Sequence, residues 1–201
     1  VEVAAIPYQG DARQLPWENE KIDCIITSPP YVTSYEYADL HQLSLLWFGW
    51  GENWRQLRHN FIGTSSISPK PKDLPLYSSL AQGIIQEVAK VSPKKAEEIQ
   101  SYFHDMAVAF KEMYRVLRSG GNVCIVIGNT SIAGVEIRNA QVFAEQLMNL
   151  GFQIERVILR EIPSKILPQT REKATGRFTR ADEADYLAYP TETILIAKKE
   201  S

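Results

Sequence analysis

Strand-length apolar runs and helical apolar stripes alternate along this chain. Cys24-Ile25-Ile26 is an apolar run that stops abruptly at Thr27-Ser28-Pro29-Pro30-Tyr31, which predicts a buried strand ending in a rigid, exposed turn. Upstream, Val1 to Ile6 reads as a short strand, followed by a turn at Gly10-Asp11 and a polar surface turn from Pro16 to Lys21. Downstream, Leu40, Leu43, Leu46, Trp47 and Trp50 recur at helical spacing. They predict an amphipathic helix stopped near Gly49 or Gly51, with most of these apolar groups in the core. Ser92-Pro93 opens a longer helix, the serine as cap and the proline in the first turn. Its stripe of Ile99, Phe103, Met106, Phe110, Met113 and Leu117 suits packing on a sheet, and Ser119-Gly120-Gly121 closes it. Val123 to Ile127 is then a buried strand and the natural parallel neighbour of the Cys24 strand. Gln141 to Leu150 is another helix, stopped by Gly151. Phe152 to Ile162 and Thr193 to Lys198 read as strands with no helix between them, so they should pair antiparallel.

Two segments depart from these periods. Residues 52–92 are irregular, and so long an excursion predicts an insertion with a task of its own, such as touching substrate. Its Arg55, Arg58, Lys70 and Lys72 are phosphate contacts or a solvated face. Residues 163–191 form a long loop in which Lys165, Arg171, Lys173, Arg177 and Arg180 stand among Ser, Thr and Gln. Such a loop makes ionic phosphate contacts, or is simply solvated.

A length of 201 residues, 44% hydrophobic and 23% charged, predicts a single globular domain over residues 1–201. The net charge of −2 supplies no global attraction to nucleic acid, so such a partner needs a local basic patch. The two cysteines, Cys24 and Cys124, both sit in predicted buried strands, which fits a reducing compartment without disulfides. No run reaches membrane-spanning length and no charged-then-apolar leader opens the chain, so a cytoplasmic protein without a membrane partner is expected.

The turn after Ile26 carries the most specific chemistry. Two consecutive prolines fix two φ angles and remove two N–H donors, leaving carbonyls to point outward as acceptors. Ser28 adds a hydroxyl and Tyr31 a flat face on which a ring can stack. Together they suit an aromatic amine. Tyr35, Tyr37 and Asp39 follow closely and either line a pocket for a base or form a loop cover. His41 reads as an exposed or capping histidine. The Asp11 carboxylate is free to accept donors, or satisfies its own backbone in an Asx-turn.

Thr27-Ser28-Pro29-Pro30-Tyr31 resembles the catalytic (Ser/Asp/Asn)-Pro-Pro-(Tyr/Phe/Trp) motif of S-adenosylmethionine-dependent amino-methyltransferases, which act on the exocyclic nitrogen of cytosine or adenine in DNA. The resemblance implies an α/β fold, the class I Rossmann-like methyltransferase sheet ending in an antiparallel hairpin. It implies Ser28, Pro29, Pro30 and Tyr31 as catalytic residues and S-adenosyl-L-methionine as cofactor, with no metal. In the family, a Gly-Asp-Ala stretch before the motif bonds the cofactor's adenine amino group; Asp11 matches it, and Thr27 and Ser28 would also face the cofactor. Tyr35, Tyr37, Lys165, Arg171, Lys173, Arg177 and Arg180 become substrate contacts. The serine form is more typical of cytosine-N4 enzymes. RNA is the alternative substrate, and a non-catalytic nucleic-acid-binding subunit with a relic site the alternative role.

The resemblance covers the later part of the catalytic domain. A strand followed by the family's glycine-rich cofactor loop is not found in the sequence, since Gly120-Gly121 is read as a helix end. The chain is therefore expected to lack the first cofactor-binding strands. It would be a fragment, a degenerate subunit or one part of a split enzyme, whose complementing subunit or upstream segment carries that loop.

Overall fold

The computed structural model describes residues 4–32, 37–50, 54–66, 75–162, 170–171, 186–187 and 191–200. Within them the elements run β1 (Ile22–Thr27), α1 (Tyr37–Leu40), α2 (Gln42–Trp47), α3 (Trp54–Leu57), a 3₁₀ turn (Arg58–Asn60), α4 (Ser79–Val91), α5 (Pro93–Val116), β2 (Leu117–Ile127), β3 (Thr130–Ile132) and β4 (Val135–Ile137). They continue with α6 (Asn139–Asn149), β5 (Phe152–Glu161), β6 (Thr170–Arg171), β7 (Tyr186–Leu187) and β8 (Thr191–Lys199). Among the described residues no helix is long and apolar enough to cross a membrane.

The main sheet has the spatial order β1-β2-β8-β5. β1 and β2 are parallel, with Ile25 beside Val123 and Thr27 beside Ile125. β8 enters reversed and pairs antiparallel with both β2 and β5. This is the expected α/β sheet with a C-terminal antiparallel hairpin. The hairpin's last strand, β8, rather than β5, adjoins β2.

The long helix forms as its sequence dictates. The Ser92 side chain accepts from the Lys95 N–H, Pro93 occupies the first turn, and Ile99, Phe103, Met106 and Phe110 are buried along one face. α4 uses the same device, with Ser78 accepting from the Ala81 N–H at 3.0 Å. This helix lies inside the 52–92 segment read as irregular. Its buried positions, Ala81, Ile84 and Val88, keep helical spacing, but one is small and Gly83 on the exposed face lowers the helix propensity, so the pattern is faint.

Polar side chains join these helices at fixed points. The Glu145 carboxylate on α6 accepts from the Ser78 hydroxyl at 2.7 Å and the Leu80 N–H at 3.1 Å, at the start of α4. The fully buried Gln146 amide donates to the carbonyls of Leu76 and Phe103, both at 2.8 Å. Burial pushes the Glu145 carboxyl up, but the donors from Ser78, Leu80 and Ser79 outweigh it and hold it below the ordinary value. Lys199, at the end of β8, donates to the carbonyls of Leu117 at 2.8 Å and Tyr114 at 3.0 Å, and to Glu20 at 3.2 Å. Its charge thus satisfies carbonyls at the C-terminal end of α5, where the helix dipole favours a cation.

Four expectations are corrected. β1 is not buried: Cys24 is exposed and Ile26 is 77% exposed. α5 and α6 pack behind the buried side chains Val123, Ile125, Ile127, Leu195 and Ala197, so among the described residues helices cover one sheet face. Cys24, Ile26, Cys124, Val126, Ile194 and Ile196 alternate onto the other face and are partly or fully exposed. Second, the stripe from Leu40 to Trp50 is not core. The segment breaks at His41 into two short helices, and Leu43, Trp47 and Trp50 are exposed, Trp47 at 86%. Third, the Gly120-Gly121 pair does not close a helix, because α5 ends at Val116 and β2 begins at once. The pair lies where the β1–β2 register shifts, and a Cβ on Gly121 would stand 3.1 Å from the Asp23 carbonyl and 2.9 Å from that of Arg118. Fourth, residues 4–10 form no strand; Val1 to Val3 lie outside the described residues.

Glu145→Gln is expected to cost about 1 kcal/mol at neutral pH, by weakening charge-assisted bonds to the start of α4. A lowered folded pKa makes the wild-type contribution complete above the ordinary carboxyl value of 4.5 and lost as pH falls through the folded one. The variant should therefore show a flatter loss of stability in that acid window, measured by urea unfolding across pH. Lys199→Met should cost about 2 kcal/mol in the same assay, because it strands buried carbonyls.

Candidate active site

β1 delivers its last residue, Thr27, to the carboxyl end of the parallel pair, the end at which open α/β sheets bind ligands. Here the chain turns through Ser28, Pro29, Pro30 and Tyr31. Ser28 is exposed, Pro29 is buried, and Pro30 and Tyr31 are partly buried, so an apolar ring roots the elbow and leaves its hydroxyl in the open. The Tyr102 hydroxyl, from a residue of α5 that is 1% exposed, donates to the Pro30 carbonyl at 2.8 Å.

Tyr31 packs one side against the core and keeps part of its surface open. Two glycines hold its ends. A Cβ on Gly63 would lie 3.0 Å from the Tyr31 carbonyl and 3.6 Å from the Tyr102 ring, and Gly63 sits at φ +84°, where a side chain is strained. A Cβ on Gly128, just past β2, would lie 3.2 Å from the Tyr31 hydroxyl. The ring therefore lies over the end of β2, beside the Thr191 carbonyl that starts β8.

Asp11 closes an Asx-turn, accepting from the Arg13 N–H at 2.9 Å. The Arg13 guanidinium also reaches both carboxylate oxygens, at 3.0 and 2.8 Å, and this pairing holds the Asp11 carboxyl below its ordinary value. The same guanidinium donates to the Asn60 carbonyl at 2.8 Å and lies 3.4 Å from Asp105 of α5. Further along α5, Glu112 accepts from the Leu15 N–H at 2.9 Å, and Arg115 donates to the carbonyls of Leu15 and Trp17 at 3.1 and 2.8 Å. One face of α5 thus supports both the Asp11 turn and the Pro-Pro elbow.

Of the other expected residues, Asp39 pairs with Arg58, linking α1 to the 3₁₀ turn. His41 stands at the junction of α1 and α2, its carbonyl accepting from the Leu45 N–H. Tyr37 begins α1 and Arg171 ends β6, each placed by its backbone. Tyr35, Lys165, Lys173, Arg177 and Arg180 lie outside the described residues. The segment that carries the basic residues leaves β5 at Glu161 and returns at Thr191, two residues paired with each other. Both anchors are at the elbow end of the sheet, because Thr193 pairs with Ile127. Among the described residues no group of three His, Cys, Asp or Glu side chains could hold a metal ion.

The sequence reading missed Tyr102, Asp105, Arg13, Gly63 and Gly128. A signal existed for Tyr102: a tyrosine beside a buried helical stripe needs a partner for its hydroxyl. The partner itself is 72 residues away and invisible in the sequence.

A family model described as DNA methylase matches residues 22–201. The type II methyltransferases M.AvaI of Nostoc sp. and of Anabaena variabilis are each 28% identical over 161 residues, 71% of this chain and 33% of theirs. The chain thus spans about a third of the length of these curated relatives. Among solved structures, a Thermus thermophilus protein described as a DNA modification methylase, complexed with S-adenosyl-L-methionine, aligns with a TM-score of 0.48 at 15% identity. The alignment covers 96% of this chain and 54% of that one. A Methanosarcina mazei protein described as a SAM-dependent methyltransferase aligns with a TM-score of 0.40 at 11% identity, over 95% of this chain and 65% of that one. With the match running from β1 to the end of β8, across the elbow and the whole sheet, the chain belongs to the DNA methylase family.

Proposed function

We propose that this chain carries the target-base side of an S-adenosylmethionine-dependent DNA amino-methyltransferase, with cytosine N4 favoured over adenine N6. The observation that carries the reading is the Ser28-Pro29-Pro30-Tyr31 elbow at the carboxyl end of β1, within the matched family region, with Ser28 exposed and the Tyr31 ring partly open. The serine form of the motif favours cytosine. The loop from Glu161 to Thr191, anchored at the same end, supports phosphate contacts by Lys165, Arg171, Lys173, Arg177 and Arg180. Tyr35 and Tyr37 follow the elbow in sequence and are proposed as base contacts.

The residues present suit the adenosine end of the cofactor better than its methionine end. Asp11 keeps a side chain 48% exposed while Arg13 holds both its carboxylate oxygens, and Thr27 and Ser28 close β1 at the carboxyl end of the parallel pair. Asp11, Thr27 and Ser28 would hold the cofactor, which supplies an electrophilic methyl group on a sulfonium. Among the described residues no strand pairs with the outer edge of β1. That unpaired edge and the open sheet face support a complementing segment or subunit that brings the glycine-rich loop.

The elbow's task follows from nitrogen chemistry. An exocyclic amine is a poor nucleophile because its lone pair is delocalised into the ring. Ser28 Oγ and the Pro29 carbonyl would accept hydrogen bonds from its two N–H groups, which concentrates electron density on nitrogen as it pyramidalises. As the N–CH3 bond replaces the methyl–sulfur bond, one of these protons would be released past Ser28 Oγ to solvent. Tyr31 stacks on the base and fixes its plane. A base within a duplex cannot enter such a site, so it is flipped out or taken from a single strand.

Methyl transfer to duplex DNA, single-stranded DNA and RNA, followed by nucleoside analysis, tests this reading with and without a candidate complementing half. N4-methylcytosine in DNA is expected; methylated RNA alone, or no transfer in either condition, would overturn it. Calorimetry with S-adenosylmethionine in both conditions should show binding at least in the complemented one; none in either favours the non-catalytic role. Tyr31→Ala should lose about 5- to 150-fold in transfer, as a stack worth ~1–3 kcal/mol implies, with the fold intact by circular dichroism.

A further inference from the structure

The elbow offers more acceptors than a target amine can use. Carbonyls belong to Ser28, Pro29 and Pro30, a hydroxyl to Ser28, and across the two prolines there is no backbone donor. An amine bound for methyl transfer presents only two hydrogens. An acceptor left unpaired beside it would draw water into the site or pull the amine out of line.

One of these acceptors is already taken. The Pro30 carbonyl accepts from the Tyr102 hydroxyl at 2.8 Å. Tyr102 is itself rigidly held, 1% exposed in the middle of α5, with its ring centroid 5.3 Å from that of Phe103 and 6.2 Å from that of Phe143. The geometric effect of this single bond is large because of the prolines. The Pro30 ring locks φ, and the flanking peptides are planar, so ψ of Pro30 is the one soft torsion between the Pro29 and Pro30 carbonyls. Anchoring the Pro30 carbonyl to a buried helix fixes that torsion. It thereby sets the direction of the Pro29 carbonyl relative to the peptide that leads into Tyr31, whose ring is placed separately by its contact with Gly128. Gly63 closes over the same junction, near both the Tyr31 carbonyl and the Tyr102 ring.

We propose that Tyr102 is a positioning residue of the methyl-transfer site. Its hydroxyl draws the Pro30 carbonyl inward and out of competition, so that the acceptors left for the target amine lie on Ser28 and Pro29, with the Pro29 carbonyl held in one direction by the anchored peptide. Tyr102 touches neither substrate nor cofactor. The assignment rests on the functional reading above for its catalytic consequence, and on the hydrogen bond alone for its structural one.

Tyr102→Phe separates the two, since it keeps the packed ring and deletes only the hydroxyl. In the methyl-transfer assay, with the complementing half if the wild type requires it, kcat should fall about ten-fold or more through misorientation, while KM for S-adenosylmethionine stays within about two-fold. An unchanged kcat overturns the proposal. Amide hydrogen exchange, read in parallel, needs no activity. Faster exchange confined to Tyr31 and Val32 supports the positioning role; unchanged exchange there, or uniform acceleration through α5 and the sheet, overturns it. If the wild type transfers no methyl group under any condition, the functional reading falls, and the exchange result still decides what Tyr102 does to the elbow.

Discussion

The parallel pairing of β1 with β2, closed from behind by α5, places two distant stretches of chain at one end of the sheet. With Ile25 beside Val123 and Thr27 beside Ile125, the residues after Thr27 must emerge next to Gly128. A slip of one residue would turn Ile25 outward and carry the elbow away from the α5 face that supports it. The register is protected by the buried alternation of Val123, Ile125 and Ile127 and by the close approach of Gly121 to Asp23. The elbow's geometry is therefore a consequence of core packing, transmitted by a strand too short to bend appreciably.

α5 then acts as the common support. Tyr102 holds the elbow at Pro30, Asp105 approaches the arginine that pairs with Asp11, and Glu112 and Arg115 fasten the segment from Leu15 to Asn19. These positions recur at helical spacing along one face of a single rigid element. The distance between the Asp11 turn and the Pro-Pro elbow is accordingly set by the helix as well as by the chain between them. For the proposed site, which would align a methyl donor with a nitrogen lone pair, a rigid ruler of this kind is what pre-organisation requires.

The other face of the sheet behaves differently. Ile26, Cys124, Val126, Ile194 and Ile196 would ordinarily be covered in a parallel α/β sheet, and β1 would ordinarily have a neighbour on its outer edge. Both described crossover helices lie on the opposite face. The open face, and an edge that no strand joins among the described residues, are where the proposed complementing segment would find apolar surface and backbone to pair with.

Much of this was legible in residue order alone. The Ser92 cap, the proline in the first helical turn and the stripe from Ile99 to Phe110 specify α5, because capping and periodicity act within a few residues. The run Ile25-Ile26 ending at two prolines specifies a strand and a rigid turn for the same reason. The pairing of β5 with β8 was expected because the sequence shows no helical pattern between them. What lies outside the reach of local pattern is the company each element keeps. Whether Ile26 or Trp47 is covered depends on surfaces remote in sequence, so both were expected inside and stand exposed. Gly120-Gly121 suits a helix end as well as a strand passing close to a carbonyl, and only the presence of Asp23 decides between them. The elbow's chemistry was written in four adjacent residues, whereas its support by Tyr102 and its enclosure by Gly63 and Gly128 arise when the chain folds back on itself, since a buried hydroxyl or a missing side chain acquires meaning only from the group that packs against it.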